Sequence, residues 1–156
     1  MDKTNSMRLL ESRNAPYTVH EFSTDFHSAD EVARLIDRPE AMVYKTLVVL
    51  RGKSKPLLVM IASNRELDLK LLAQSMREKK LKMATHAEAE SLTGLQVGGI
   101  SALCLLNKGF DAYIDEPARA LDEIVVSAGQ RGLNLQLKTD DLVRITRARW
   151  VRATVD

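Results

Sequence analysis

Hydrophobic residues recur along this chain with two different spacings, and each spacing predicts one kind of secondary structure. Some segments repeat apolar residues every third or fourth position behind a polar capping residue, which is typical of amphipathic helices. Others alternate apolar and polar residues or form short apolar runs, which is typical of strands. Because short helices are interspersed among many short strands, the pattern predicts an α/β fold with a mixed sheet.

Capping residues sharpen the helix predictions. Asp68 is the expected N-cap of one helix, and both Ser28–Glu31 and Thr85–Glu88 have the spacing of a capping box. Thr139 is expected to cap the final helix. Helices are predicted over 5–13, 28–36, from 67 onwards, 85–92 and 140–146, and strands over 17–22, 42–50, 57–61, 82–84, 103–106, 112–115, 123–127 and 133–137.

One predicted strand carries a charge where burial is expected. Both faces of the segment 43–50 are apolar, so we expect this strand to be central and covered on both sides. Lys45 shares a face with Val43, Leu47 and Val49, and a buried ammonium is costly unless it is paired or solvated. Two interpretations stay open: Lys45 binds an anionic ligand such as a phosphate, or it lies at the strand's end and its ammonium reaches water.

A pair of glycines, Gly98 and Gly99, lies between the β-branched residues Val97 and Ile100. Glycine permits a positive φ and lets another group approach the backbone closely. The pair therefore predicts either a loop that presents backbone groups to a ligand or a tight turn or bulge. It is not a phosphate-binding loop of the P-loop type, because no Gly-Lys-Ser/Thr follows.

Composition narrows the class of protein. The 156 residues are 45% hydrophobic and 28% charged, which predicts one folded domain spanning 1–156. A net charge of +2 is too small for a general nucleic-acid binder, although a few well-placed cations would suffice for one short piece of nucleic acid. A single cysteine, no signal-peptide pattern and no apolar stretch long enough to span a bilayer predict a cytoplasmic protein without a membrane partner.

The usual catalytic sets are missing from the sequence. His20, His27 and His86 are scattered, and Cys104 is the one cysteine, so we expect no metal site and no cofactor. No Gly-x-Ser-x-Gly nucleophile elbow occurs. An enzyme with this sequence would have to rely on positioning, backbone groups and water.

Several weak motifs become specific when they are taken in order along the chain. They resemble the YbaK/EbsC family, the free-standing relatives of the editing domain inserted in bacterial prolyl-tRNA synthetases. The resemblance runs from the first helix to Ile145. It implies an α/β fold around a mixed, partly closed β-sheet (a pseudo-barrel) surrounded by helices. It also implies deacylation of mischarged aminoacyl-tRNA. The motifs are Val43–Leu47, Leu67–Lys70, Thr93–Gly94, Val97–Ser101, Val126–Ser127 and Arg131–Leu133.

The resemblance also implies roles for individual residues. Lys45 would hold the 3′-terminal nucleotide of the tRNA, and the backbone of Gly98 would lie beside the scissile ester. The partner is the 3′ acceptor end of tRNA, and prolyl-tRNA synthetase is left open as a second partner. The substrate-binding residues that the resemblance implies are Phe22, Tyr44, Gly99, Ile100, Ser101, Ser127 and Asn134.

Some positions depart from the pattern of the cysteine-specific members. These members tend to have tyrosine where this chain has Phe22 and aspartate where it has Asn134. They also tend to have proline where this chain has Ala102 and an extra glycine where it has Ala128. Loss of a phenol hydroxyl and a carboxylate changes which substrate groups can be hydrogen-bonded. The expected substrate is therefore Cys-tRNA(Pro) or another small amino acid on tRNA(Pro).

Two other functions stay open at this point. The chain could be a non-catalytic module that docks on tRNA or on a synthetase, with the basic segment 147–152 as its binding element. It could also hydrolyse small nucleotide esters without needing the tRNA body.

Overall fold

Two β-sheets and five α-helices make up the part of the chain that the computed structural model describes, residues 2–25 and 29–155. The helices are α1 (Asn5–Ser12), α2 (Ala29–Leu35), α3 (Leu69–Met76), α4 (His86–Thr93) and α5 (Thr139–Thr146). The strands are β1 (Tyr17–Glu21), β2 (Tyr44–Leu50), β3 (Leu57–Ala62), β4 (Lys82–Met83), β5 (Asp111–Asp115), β6 (Glu123–Ser127), β7 (Leu133–Lys138) and β8 (Arg149–Val151).

The larger sheet is mixed, as the sequence predicts. Its order is β4-β2-β3-β5-β8, with antiparallel pairing from β4 to β3 and parallel pairing from β3 to β8. The smaller sheet, β1-β7-β6, is antiparallel throughout. The α/β class with a mixed sheet is confirmed.

The predicted closure of the sheet into a pseudo-barrel is wrong. Among the described residues, a single isolated bridge between Val43 and Val125 connects the two sheets. On the N-terminal side of Val43 the ladder ends because the chain there forms a 3₁₀ helix, Glu40–Met42. The strand predicted from residue 42 therefore begins only at Tyr44.

Both faces of the larger sheet are covered, and β3 lies at its centre. All six residues of β3 are buried. Leu58 and Met60 pack into one core cluster, and Val59 and Ile61 pack into another. This arrangement explains the near-continuous apolar run in the sequence, because a strand buried on both faces shows no alternation.

The predicted capping residues are confirmed at two helices. The Asp68 carboxylate accepts a hydrogen bond from the Leu71 amide, 3.0 Å away. Thr85 and Glu88 form a complete capping box, and Gly94 ends α4 in the left-handed conformation. The Ser28–Glu31 capping box lies outside what the structure describes. No helix among the described residues has both the length and the apolar character needed to cross a membrane.

Three local predictions are wrong. The strand predicted at 103–106 is a 3₁₀ helix, Leu103–Leu105, because the hydroxyl and carbonyl oxygens of Ser101 both accept from the Cys104 amide and close a turn. Thr139 does not cap α5. Lys138 is the N-cap, and the Thr139 hydroxyl is buried without a partner among the described residues. The segment predicted as a basic tail contains the edge strand β8.

Candidate functional site

A cavity of about 400 Å³ opens where the two sheets meet. We call it the β2-edge cavity, because residues of β2 from Tyr44 to Val48 form one of its walls. Its other walls come from the loop after β1, the start of α4, the loop at 97–100 and the ends of β6 and β7. The apolar residues that line it are Phe22, Val32, Val43, Leu47, Val48, Met83, Ala84, Ala89, Val97 and Ile100.

The cavity lies along β2 where this strand has no neighbour. Strand β4 pairs with β2 only at Val49 and Leu50. Within the described ranges, no strand pairs with this edge of β2 between Tyr44 and Leu47. Successive side chains on opposite faces of β2 can therefore line a single cavity that wraps around the edge. The sequence predicts that β2 is central and covered on both sides. In the structure β2 does lie between two strands, but β4 is too short to pair with the whole length of β2.

Lys45 is half-buried and lines this cavity. Its ammonium forms no ion pair with any described residue, and the described part of the lining contains a second cation, Arg131, but no carboxylate. Two cations beside mostly apolar walls are costly without a counter-charge. The cavity is therefore electrostatically suited to an anionic ligand.

Gly98 also lines the cavity, with its backbone at φ +95°. Its N–H and C=O form no hydrogen bond with any part of the described chain. A Cβ at Gly98 would lie 3.6 Å from the Cγ and Nε atoms of Arg131, so the arginine side chain packs over this glycine. Backbone groups without partners beside a cavity are available to a ligand or to a water molecule.

Arg131 connects two loops at the mouth of the cavity. Its guanidinium donates a hydrogen bond to the carbonyl oxygen of Thr24, 3.2 Å away, while its stem covers Gly98. The sequence analysis includes Arg131 in a family motif but does not predict it as a site residue. The available signal was its position in the Arg131–Leu133 motif.

Gly99 and Ser101 lie behind the wall and do not line the cavity. A Cβ at Gly99 would approach the backbone nitrogen of Arg131 to 2.9 Å, so only glycine lets these two loops meet. Ser101 is buried and closes the turn at Cys104. Both residues therefore shape the loop that presents Gly98.

The other predicted substrate-binding residues do line the cavity: Phe22, Tyr44, Ile100, Ser127 and Asn134. Asn134 is buried and pairs in register with Ser127, whose hydroxyl accepts from the Gly129 amide at 3.1 Å.

Tyr44 contributes its ring to the cavity but not its hydroxyl. The hydroxyl oxygen is buried and has no hydrogen-bond partner among the described residues. Burial, followed by the negative charge of Asp115, raises the pKa of Tyr44 to about 12, and the positive charge of Arg65 opposes this shift.

Polar groups that the sequence did not indicate also line the cavity. Thr46 follows Lys45, and the exposed His86 opens α4. Cys104 lies elsewhere, with its thiol donating to the Ala128 carbonyl at 3.5 Å. The described residues contain no group of three or more His, Cys, Asp or Glu side chains that could hold a metal ion.

Comparison with solved structures shows that other proteins share this fold. The crystal structure of a candidate trans-editing enzyme for prolyl-tRNA synthetase superimposes with a TM-score of 0.81, covering 97% of this chain and 96% of that one. The two sequences are 22% identical, so the match shows a shared fold.

Sequence comparison identifies closer relatives. A candidate Cys-tRNA(Pro)/Cys-tRNA(Cys) deacylase, EbsC from Enterococcus faecalis, is 36% identical over 154 residues, which are 97% of this chain and 93% of that protein. A proline–tRNA ligase from Pediococcus pentosaceus is 30% identical over 118 residues, which are 72% of this chain but 20% of the ligase. The aminoacyl-tRNA editing domain pattern matches residues 24–145. The chain therefore belongs to the aminoacyl-tRNA editing domain family.

Proposed function

We propose that this protein hydrolyses the ester bond of mischarged aminoacyl-tRNA, with Cys-tRNA(Pro) or another small amino acid on tRNA(Pro) as its substrate. The observation that carries the proposal is the pair of cations, Lys45 and Arg131, in a mostly apolar cavity to which the described residues contribute no carboxylate. The 3′ end of a tRNA supplies a phosphate for the cations and an adenine for the apolar walls.

Catalysis in this proposal rests on positioning. An aminoacyl ester is already activated, so no nucleophile with a general base is required. Lys45 holds the terminal nucleotide, and the free backbone groups of Gly98 orient the attacking water or stabilise the charge that develops on the ester oxygen. Gly99 and Ser101 support this function from behind, by fixing the loop that carries Gly98.

Phe22 and Asn134 are proposed to select the amino acid. Both line the cavity, and they replace the tyrosine and aspartate that the family resemblance associates with cysteine specificity. The double variant Phe22→Tyr with Asn134→Asp should raise the ratio of kcat/KM for Cys-tRNA(Pro) over Ala-tRNA(Pro). A ratio that does not move would remove these two residues from the specificity argument.

The decisive experiment is a deacylation panel with tRNA(Pro) charged with cysteine, alanine, serine or proline. We expect faster hydrolysis than in buffer for at least one of the first three and none for the cognate prolyl ester. Lys45→Ala should abolish the activity. Lys53→Ala removes the same group from the exposed turn after β2 and should leave it unchanged. If no charged tRNA is hydrolysed and Lys45→Ala has no effect, the proposal fails.

The same panel tests the alternative of a non-catalytic module that docks on tRNA or on prolyl-tRNA synthetase. The replacements at Phe22 and Asn134 favour this alternative, since they remove two polar groups from the cavity. Such a module would bind tRNA tightly without turnover. In either case we place the protein in the cytoplasm, where translation occurs, acting as one domain on the 3′ end of tRNA.

A further inference from the structure

A second cavity of about 400 Å³ lies at the opposite edge of the larger sheet and carries a cluster of arginines. Arg13 reaches it from the end of α1, Arg147 from the end of α5, and Arg149 from β8. The amide of Asn107 also lines it. We call this site the arginine cavity. It belongs neither to the β2-edge cavity nor to the motifs that identify the family.

The charges of this cavity are uncompensated. The side chains of Arg13, Arg147 and Arg149 form no ion pair or hydrogen bond with any other described residue. Among the described residues, the lining contains one carboxylate, Asp111, which forms an ion pair with the guanidinium of Arg51. Three free guanidinium groups around a concave surface match phosphate oxygens, because their planar forks donate two parallel hydrogen bonds.

The three arginines start from ordered backbone. Arg147 ends α5 in the left-handed conformation at φ +55°, and the hydroxyl of its neighbour Thr146 donates to the Leu142 carbonyl at 2.7 Å. Arg13 ends α1, with its amide bonded to the carbonyl oxygens of Leu9 and Leu10. A ligand that binds here does not have to order the backbone first, which lowers the entropic cost of binding.

The two cavities are lined in part by directly paired residues of the larger sheet. Val48 lines the β2-edge cavity and Leu58 lines the arginine cavity, and the two residues pair across β2 and β3. Ala112, which pairs with Leu58 in the next strand, also lines the arginine cavity. From β2 to β8 there are three strand spacings, about 15 Å in all, so one macromolecule can contact both cavities.

We propose that the arginine cavity binds backbone phosphates of the tRNA body while the 3′ end occupies the β2-edge cavity. The proposal rests on the proposed function for the identity of the RNA. This binding mode explains how a chain of low net charge can bind a large polyanion. Arginines from both ends of the sequence, Arg13, Arg147 and Arg149, come together in the arginine cavity.

The test measures binding of an uncharged tRNA(Pro) transcript to the triple variant Arg13→Gln, Arg147→Gln, Arg149→Gln over a range of salt concentrations. We expect affinity to fall by about tenfold or more near 100 mM salt, and the slope of log affinity against log salt to become shallower by roughly two. The matched control is Arg77→Gln, which removes an exposed arginine that ends α3 in the same left-handed conformation but lies outside both cavities. Circular dichroism and urea unfolding verify that each variant is folded.

A second measurement separates this proposal from the proposed function. With charged tRNA(Pro), the triple variant should show a raised KM and an unchanged kcat, whereas a short aminoacylated 3′-end mimic should be hydrolysed as by the natural chain. Binding of uncharged tRNA needs no catalysis, so this measurement tests the role of the arginine cavity even if no ester is hydrolysed. The proposal is overturned if the folded triple variant binds tRNA normally, if Arg77→Gln weakens binding equally, or if the variant loses affinity only for prolyl-tRNA synthetase.

Discussion

Strands β2 and β3 are paired residue by residue, yet they differ in how far their side chains are buried. Every residue of β3 is buried, whereas β2 has a row of half-buried residues that includes Lys45. Lys45 is directly opposite Ile61, which is fully buried. The sequences of both strands are largely apolar, so composition does not explain the difference. What differs is the neighbour: β3 has long partners on both sides, and β2 has a two-residue partner on one side.

The comparison shows how an edge can serve as a site. A strand without a neighbour can present side chains from both faces, and it tolerates a charge that its fully covered partner could not. Substitutions in the two strands should therefore have different effects on stability and activity.

A lysine at the position of β3 that pairs with Lys45 should destabilise the protein most. Ile61→Lys places an ammonium opposite Lys45 but inside the covered strand. We expect it to lower the free energy of unfolding by about 3–5 kcal/mol, because the buried charge has no partner. Urea denaturation measures this. A loss below about 1 kcal/mol would mean that β3 is less well covered than its burial indicates.

Lys45→Met should separate activity from stability. It keeps an unbranched stem of similar length and removes the charge. We expect kcat/KM for mischarged tRNA to fall by about 100-fold or more, since the group that orients the nucleotide is lost. The free energy of unfolding should stay within about 1 kcal/mol of the natural value or rise, because an uncompensated cation is removed. A large loss of stability would instead make Lys45 a structural residue.

Gly99→Ala tests what shapes the loop that carries Gly98. The added methyl group would meet the backbone of Gln130 and Arg131, so we expect a loss of about 1–3 kcal/mol and a displaced Gly98. Gly52→Ala shows the cost of backbone strain alone, because Gly52 has a positive φ but a Cβ there would meet no atom within 4 Å. Stability unchanged in Gly99→Ala would show that the two loops can separate without cost.

Tyr44→Phe should have the weakest effect. Tyr44 lies in the uncovered part of β2, but its hydroxyl is buried without a partner among the described residues. Removing that hydroxyl should leave the free energy of unfolding unchanged or raise it by about 1 kcal/mol at neutral pH. The measurement is urea unfolding at pH 7, and a loss above about 2 kcal/mol would indicate that the hydroxyl has a partner.

The pH dependence gives the same residue a second test. The folded pKa of Tyr44 is raised from 10.0 to about 12, so the neutral phenol contributes stability that is complete below pH 10 and is lost as pH rises towards 12. The hydrogen bond to Glu11 also raises the pKa of Tyr17 to about 12. Tyr44→Phe should therefore reduce the alkaline loss of stability, and adding Tyr17→Phe should reduce it further.

Two helix starts could be predicted because a single residue carries the signal at each of them. Asp68 and Thr85 mark helix starts because their side chains satisfy nearby amides, which depends only on sequence spacing. The segment 103–106 was wrongly predicted because its apolar run suits a strand, whereas the turn that replaces the strand depends on Ser101. Closure into a barrel was also mispredicted, because it depends on how far one strand extends beside another.

Residue type and local periodicity are enough to place Lys45 in an apolar strand and two glycines in the loop at 97–100. The order of the motifs along the chain is enough to indicate the editing family. The contacts of the folded chain are needed to show that Arg131 covers Gly98, that Gly99 supports the loop from behind the wall, and that Arg13 joins Arg147 and Arg149 around one cavity. These relations join residues far apart in the chain, and the pairing of strands, which no local pattern contains, brings them together.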